Sequence, residues 1–111
     1  MQINVTGRHV QLTEDIKAYT EEKAGKLHRY YDRIHEIEVI FNHESEQFTA
    51  EMIVRADAGH PFVASDSGPD TFMLVDTVVE KLEKQLKRHK ERLRNHKHDG
   101  KPEVPAADDE L

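Results

Sequence analysis

The sequence predicts an α+β fold, a four-stranded sheet with two helices on one face in the order β-α-β-β-β-α. Three observations carry this expectation. Four short segments alternate apolar and polar residues with the period of a strand, and two longer ones repeat at helical spacing. The third is length, since 111 residues suffice for one domain of a sheet covered by a helical layer and little more.

The first strand rests on Ile3 and Val5, which alternate with Gln2, Asn4 and Thr6 and end at Gly7. Helix one is predicted from Glu14 to about Arg29. Ile16, Tyr19, Leu27 and Tyr30 recur at helical spacing, Thr13 is placed to cap the start, and Glu14 and Asp15 suit the first turn. Gly25 weakens the later half by about 1 kcal/mol relative to Ala. IHEIEVIFNH directs Ile37, Val39 and Phe41 to one face, and QFTAEMIVRA does the same with Phe48, Ala50, Met52 and Val54. These read as antiparallel strands joined by a polar turn at Glu44 and Ser45. Asp57, Ala58 and Gly59 reverse the chain again into HPFVAS, where Phe62 and Ala64 point inward. Pro61 cannot donate to a ladder, which places this fourth strand at an edge.

SDSGPD, 65–70, then reads as a helix start with Pro69 at or near the first helical position. In helix two, Phe72, Val75, Val79, Leu82, Leu86 and Leu93 form a narrow apolar stripe suited to lying across a sheet. A right-handed crossover from strand one to a parallel strand two puts both helices on one face, with strands in the order one, two, three, four. The domain is expected to span residues 1–98. The acidic segment 99–111, with few apolar side chains, is expected to be a disordered tail.

Composition narrows the function classes. Cysteine is absent, so there is neither a disulfide framework nor a thiolate metal site. No secretory signal pattern opens the chain and no apolar run approaches a membrane span, so a cytoplasmic, soluble protein without a membrane partner is expected. There is no Gly-rich phosphate loop, no GxSxG and no Cys nucleophile. Ser65, Asp66, Ser67 and Gly68 are explained by the helix start, and neither an enzyme, a cofactor nor a small-molecule substrate is expected. Of the eight histidines, His89 falls on the apolar side of helix two, while His96 and His98 fall at its fraying end. That spacing does not suit a shared metal ion. Tyr30 and Tyr31 are expected to pack in the core rather than stack on bases.

Charge is the strongest clue. Lys81 to His98 contains eight Lys or Arg and two Glu, a sum of +6 in a chain of net charge −6, which leaves −12 on the other 93 residues. At 100° per residue the apolar stripe centres at about 300° from Phe72, and Lys81, Lys84, Arg88 and Arg92 fall at roughly 120–200°, away from the sheet. Lys23, Lys26, Arg29 and Arg33 form a second basic group in and after helix one, with the Lys23 ammonium expected to emerge toward the groove between the helices. Glu36, Glu38 and Glu51 project from the outer face of the sheet, and Glu44 and Glu46 crowd the first hairpin. A basic helix face is ordinarily just a solvated face with internal pairs such as Glu80 to Lys84. Two basic groups on one side of a sheet whose other side is acidic instead suggest a domain steered helices-first onto nucleic acid.

Three stretches carry a family resemblance: MQINVTGRHVQLTEDI, KLHRYYDRI and SDSGPDTFMLVDTVVEKLEKQLKRHKERL. Over residues 1 to about 95 the chain resembles the ribosome hibernation-promoting factors of short form. That family includes the ribosome-associated inhibitors and was once called sigma-54 modulation protein. The resemblance implies a domain similar to double-stranded-RNA-binding domains. It also implies a site in the small ribosomal subunit, in the channel where messenger RNA and tRNAs meet, blocked during stress or stationary phase. Carried over by matching positions, the rRNA-binding residues are Lys23, Lys26, Arg33, Lys81, Lys84, Lys87, Arg88, Lys90 and Arg92. The partners implied are rRNA and ribosomal proteins. No second, dimerising domain like that of long family members is expected, and the tail resembles that of the inhibitors, so promotion and prevention of ribosome dimers both stay open. The alternative from another class is a protein-interaction module that regulates a transcription factor, with helix two as its docking face.

Overall fold

The computed structural model describes residues 1–95. His96, His98, the boundary at 98 and the acidic segment 99–111 lie outside the described residues. The elements are β1 (Gln2–Arg8), α1 (Glu14–Gly25), a 3-10 turn (Lys26–Arg29), β2 (Ile34–Glu44), β3 (Gln47–Ala56), β4 (Phe62–Gly68) and α2 (Thr71–Asn95). The sheet order is β1-β2-β3-β4, with β1 parallel to β2 and the other pairs antiparallel. Strand number, strand order and pairing sense are those predicted.

Local chemistry accounts for the boundaries. Thr13 Oγ1 accepts a hydrogen bond from the Ile16 amide at 3.2 Å, a cap that contributes about 1 kcal/mol. Thr20, buried in α1, donates its hydroxyl to the Ile16 carbonyl at 2.6 Å, so no polar atom is stranded there. The first helix is shorter than predicted. It ends at Gly25 and tightens into one 3-10 turn, which keeps Leu27 buried and swings the chain toward β2. In the hairpin the turn residues are Ser45 and Glu46, and Ser45 adopts φ 55, one residue later than predicted. Gly59, at φ 85, makes the β3–β4 reversal without the strain a side chain would bring.

The helix start is the main correction. Residues 65–68 continue β4, where Ser65, Ser67 and Gly68 pair with Glu51, Thr49 and Phe48. Asp70, not Pro69, opens the helix. Its Oδ1 accepts from the Phe72 amide at 2.9 Å and its carbonyl accepts from the Leu74 amide at 3.1 Å. The Ser/Asp/Gly cluster signals a turn by composition, but the alternation of β4 runs through it and the β3 ladder holds it.

The core lies between the inner sheet face and the helices. Ile37, Val39 and Phe41 of β2 and Ala50, Met52 and Val54 of β3 are fully buried beneath Val75, Val78, Leu82 and Leu86 of α2. The predicted stripe on α2 is shifted. Leu74 and Val78 are buried, whereas Phe72 is 41% and Leu93 52% exposed. α2 packs on β4 as well as β3, so its buried face is rotated toward the edge strand. Close packing also constrains β1, because a Cβ on Gly7 would lie 2.6 Å from the Val10 carbonyl oxygen and 3.0 Å from Leu12 Cγ. No helix among the described residues is long and apolar enough to cross a membrane.

Candidate nucleic-acid interface

The two helices lie side by side, and their cations fall into four zones. The first is the groove between α1 and α2, about 340 Å³, lined by Lys23, Lys26, Asp76, Val79, Glu80 and Glu83. Asp76 ties the helices together here. Its Oδ1 accepts the Tyr19 hydroxyl at 2.6 Å and lies 3.9 Å from Lys23 Nζ, while the Lys23 ammonium sits 5.5 Å from the Tyr19 ring centroid. The hydrogen bond to Asp76 raises the Tyr19 phenol above the usual tyrosine range. Two ammonium groups face three carboxylates, so this groove does not concentrate positive charge.

The second zone does. A notch of about 290 Å³ lies where the 3-10 turn and the segment before β2 meet the last turns of α2. It is lined by Arg29, Tyr31, Asp32, Arg33, Lys90 and Leu93, three cations against one carboxylate. Tyr31 is held by donating its hydroxyl to the Asp57 carbonyl at 2.7 Å. Lys84 and Arg88, both exposed, form the third zone along the outward crest of α2. Lys87 leans over Tyr30, its Nζ 5.7 Å from the ring centroid.

The fourth zone departs from the sequence expectation. Lys81 does not stand on the crest but reaches over edge strand β4. Its Nζ donates to the Ser65 carbonyl at 2.8 Å and lies 4.0 Å from Asp66. Gln85, one turn on, donates to the Val63 carbonyl at 3.0 Å. Together they cap carbonyls of a strand that has no neighbour on that side, which blunts an exposed edge. Arg92 lies on the same flank, close enough to His89 to affect its titration. Of the nine predicted residues, Lys23 and Lys26 line the groove, Arg33 and Lys90 line the notch, Lys87 lies over Tyr30, Lys84 and Arg88 are exposed on α2, and Lys81 and Arg92 lie toward β4. Replacing Lys81 by Met is therefore expected to change RNA affinity less than twofold, where Lys84→Met costs several-fold, measured by filter binding to an rRNA fragment at about 50 mM salt.

Arg29 completes the notch but is not among the residues that the resemblance carries over. The sequence already counts it in the second basic group, and the change from α-helix to 3-10 turn sets it in the notch. On the far side of the sheet, Arg55 Nη1 lies 3.2 Å from Glu38 and 3.7 Å from Glu36, and Asn4 donates to Glu36 at 3.1 Å. The outer face is thus less acidic than Glu36, Glu38 and Glu51 alone suggest.

His89 packs among aromatic rings. Its ring packs edge-on against Tyr31 and Phe62, with centroids at 5.2 and 5.3 Å, and its Nε2 is buried without a hydrogen-bond partner among the described residues. Burial first, then His60 and Arg92, hold this imidazole below the usual histidine range. The other polar groups at that end are the Tyr31 hydroxyl and the His35–Asp57 pair. Because the folded pKa is depressed, the stability tied to neutral His89 is complete above the unfolded value of about 6.5 and is lost as pH falls through the folded pKa. Urea midpoints are expected to drop between pH 7.5 and pH 5, and His89→Phe should flatten that drop. No group of three or more His, Cys, Asp or Glu among the described residues is placed to hold a metal ion.

Comparison with known proteins agrees with this architecture. Residues 3–94 match the model of the family described as Sigma 54 modulation protein / S30EA ribosomal protein. The chain is similar to the ribosome hibernation promoting factor of Escherichia coli K12, 33% identical over 96 residues, covering 86% of this chain and 100% of that one. Its counterpart in Pseudomonas putida is 33% identical over 92 residues, covering 83% and 89%. Among solved structures, the N-terminal domain of Thermus thermophilus Protein Y superposes with a TM-score of 0.72 at 29% identity, covering 79% of this chain and 98% of that one. A ribosomal subunit interface protein from Coxiella burnetii gives 0.73 at 30% identity, covering 82% and 99%.

Proposed function

Because the chain belongs to the Sigma 54 modulation protein / S30EA ribosomal protein family, we propose that it is a ribosome hibernation factor that acts by binding and without chemistry. It presents the helix pair to rRNA of the small subunit, occupies the channel used by messenger RNA and tRNA, and so inhibits translation by exclusion. The single observation that carries this reading is the notch of Arg29, Arg33 and Lys90, three cations gathered against one carboxylate. Dense backbone phosphate pairs best with cations that are not already neutralised, and guanidinium groups suit it by presenting paired donors. A-form RNA, read mainly through its backbone and 2′-hydroxyls, fits such a surface without demanding a base-specific pocket.

Sedimentation of the purified chain with vacant ribosomes tests the proposal. The protein should travel with the small subunit at low salt and be released as salt rises, since each phosphate contact adds to the salt slope. Protein that stays at the top of the gradient at low salt would contradict it. Binding that persists after nuclease digestion of the RNA would favour the protein-interaction module that regulates a transcription factor. The same gradients show whether ribosome dimers form or are blocked.

A further inference from the structure

We propose that the acidic segment 99–111 of this chain docks in the notch of Arg29, Arg33 and Lys90 and competes there with RNA, so that the protein carries its own electrostatic brake. This rests on the RNA-binding reading of the notch and adds a regulator to it. Among the described residues none of the three cations forms an ion pair, although the notch gathers them around about 290 Å³. Its remaining walls are Tyr31, the single carboxylate Asp32 and Leu93, which is 52% exposed and offers an apolar contact among the charges. A fitting occupant would combine carboxylates with small apolar groups.

Segment 99–111 has that chemistry. Asp99, Glu103, Asp108, Asp109 and Glu110 oppose a single Lys101, and Val104, Pro105, Ala106 and Ala107 lie between the acids. The connection is short. The described part of α2 reaches Asn95, two residues past Leu93, and a stretch of three residues, 96–98, can span at most roughly 10 Å. The tether therefore holds the acids at high effective concentration beside the notch. Asp76, Glu80 and Glu83 make the groove of Lys23 and Lys26 a poor alternative, because they repel an acidic segment. Exposed charge pairs of this kind are weak singly and screened by salt, which suits a brake that dense rRNA phosphate displaces.

The test compares the full chain with a full-length variant carrying D99N, E103Q, D108N, D109N and E110Q. Two readouts are taken: amide chemical shifts at Arg29, Arg33, Lys90 and Leu93 without RNA, and affinity for vacant small ribosomal subunits at low and high salt. Neutralisation should shift the notch amides and tighten binding by about three- to tenfold at low salt, with the gap closing at high salt. Unmoved notch amides overturn the docking even if affinity rises, since a change of net charge alone could raise it. Shifted amides with an unchanged affinity overturn the brake. Should the notch amides shift while neither protein binds subunits at any salt, docking stands and the ribosome reading fails.

Discussion

Reversal of Arg29, Arg33 and Lys90 to Glu is expected to weaken binding to vacant small ribosomal subunits at least about a hundredfold at low salt. These residues meet at one notch with only Asp32 to oppose them, so the triple reversal replaces a focus of positive charge by a focus of negative charge. The fold should tolerate it. Arg29 and Arg33 are exposed, as is Lys90, and none belongs to the buried core. Circular dichroism and the urea midpoint of the variant should therefore stay close to the parent. The same reversal at Lys23 and Lys26 should cost less, because Asp76, Glu80 and Glu83 already offset those ammonium groups. Equal losses at both places would mean that total charge, not its arrangement, decides affinity.

Replacement of Phe41 by Ala is expected to destabilise the domain by about 3–5 kcal/mol, measured by urea or thermal unfolding. Phe41 is fully buried on β2, directly across from Gly7 on β1 and Ala50 on β3. Two small neighbours make room for one large ring, and neither can fill the cavity left by its removal. A domain of this size has roughly 5–10 kcal/mol in total, so the variant should lie close to its unfolding threshold at 37 °C. Leu93→Ala provides the contrast. The predicted stripe makes Leu93 an anchor, but its exposure limits the loss to about 0.5 kcal/mol.

Most of the fold was legible because its signals are local and repeated. β2 and β3 each alternate over a full strand, and their inward residues are those buried, except Phe48, which is half-buried at the edge of the core. The crossover rule then set the sheet order from sequence order alone. What misled was composition without pattern. SDSGPD has the residues of a turn, yet its first four extend β4 because β3 offers them a ladder. On α2 the angular reading centred the apolar face on an ideal projection. Contact with edge strand β4 turned that face, bringing in Leu74 and Val78 and releasing Phe72, whereas Leu93 shares the angle of buried Val75 and is exposed by its place near the end of the helix.

The candidate site was legible as charge and less so as geometry. Counting cations found both basic groups. It could not reveal that Lys81 would be drawn to the Ser65 carbonyl, since that depends on how far β4 extends. Nor could it separate the compensated groove from the notch, because Asp76, Glu80 and Glu83 face Lys23 and Lys26 only after the helices pack. The two errors share a cause, as both turn on which neighbour a long side chain reaches.

The central claim is that the helix pair, and not the outer face of the sheet, meets rRNA. Photo-crosslinking tests it most directly, with a crosslinkable residue placed in turn at Lys84, at Leu93 and at Ile53 on the outer face of β3, in the full chain bound to small ribosomal subunits. Crosslinks to rRNA from positions 84 and 93, with none from position 53, are the expected result. Crosslinks to rRNA from position 53 alone would contradict the account.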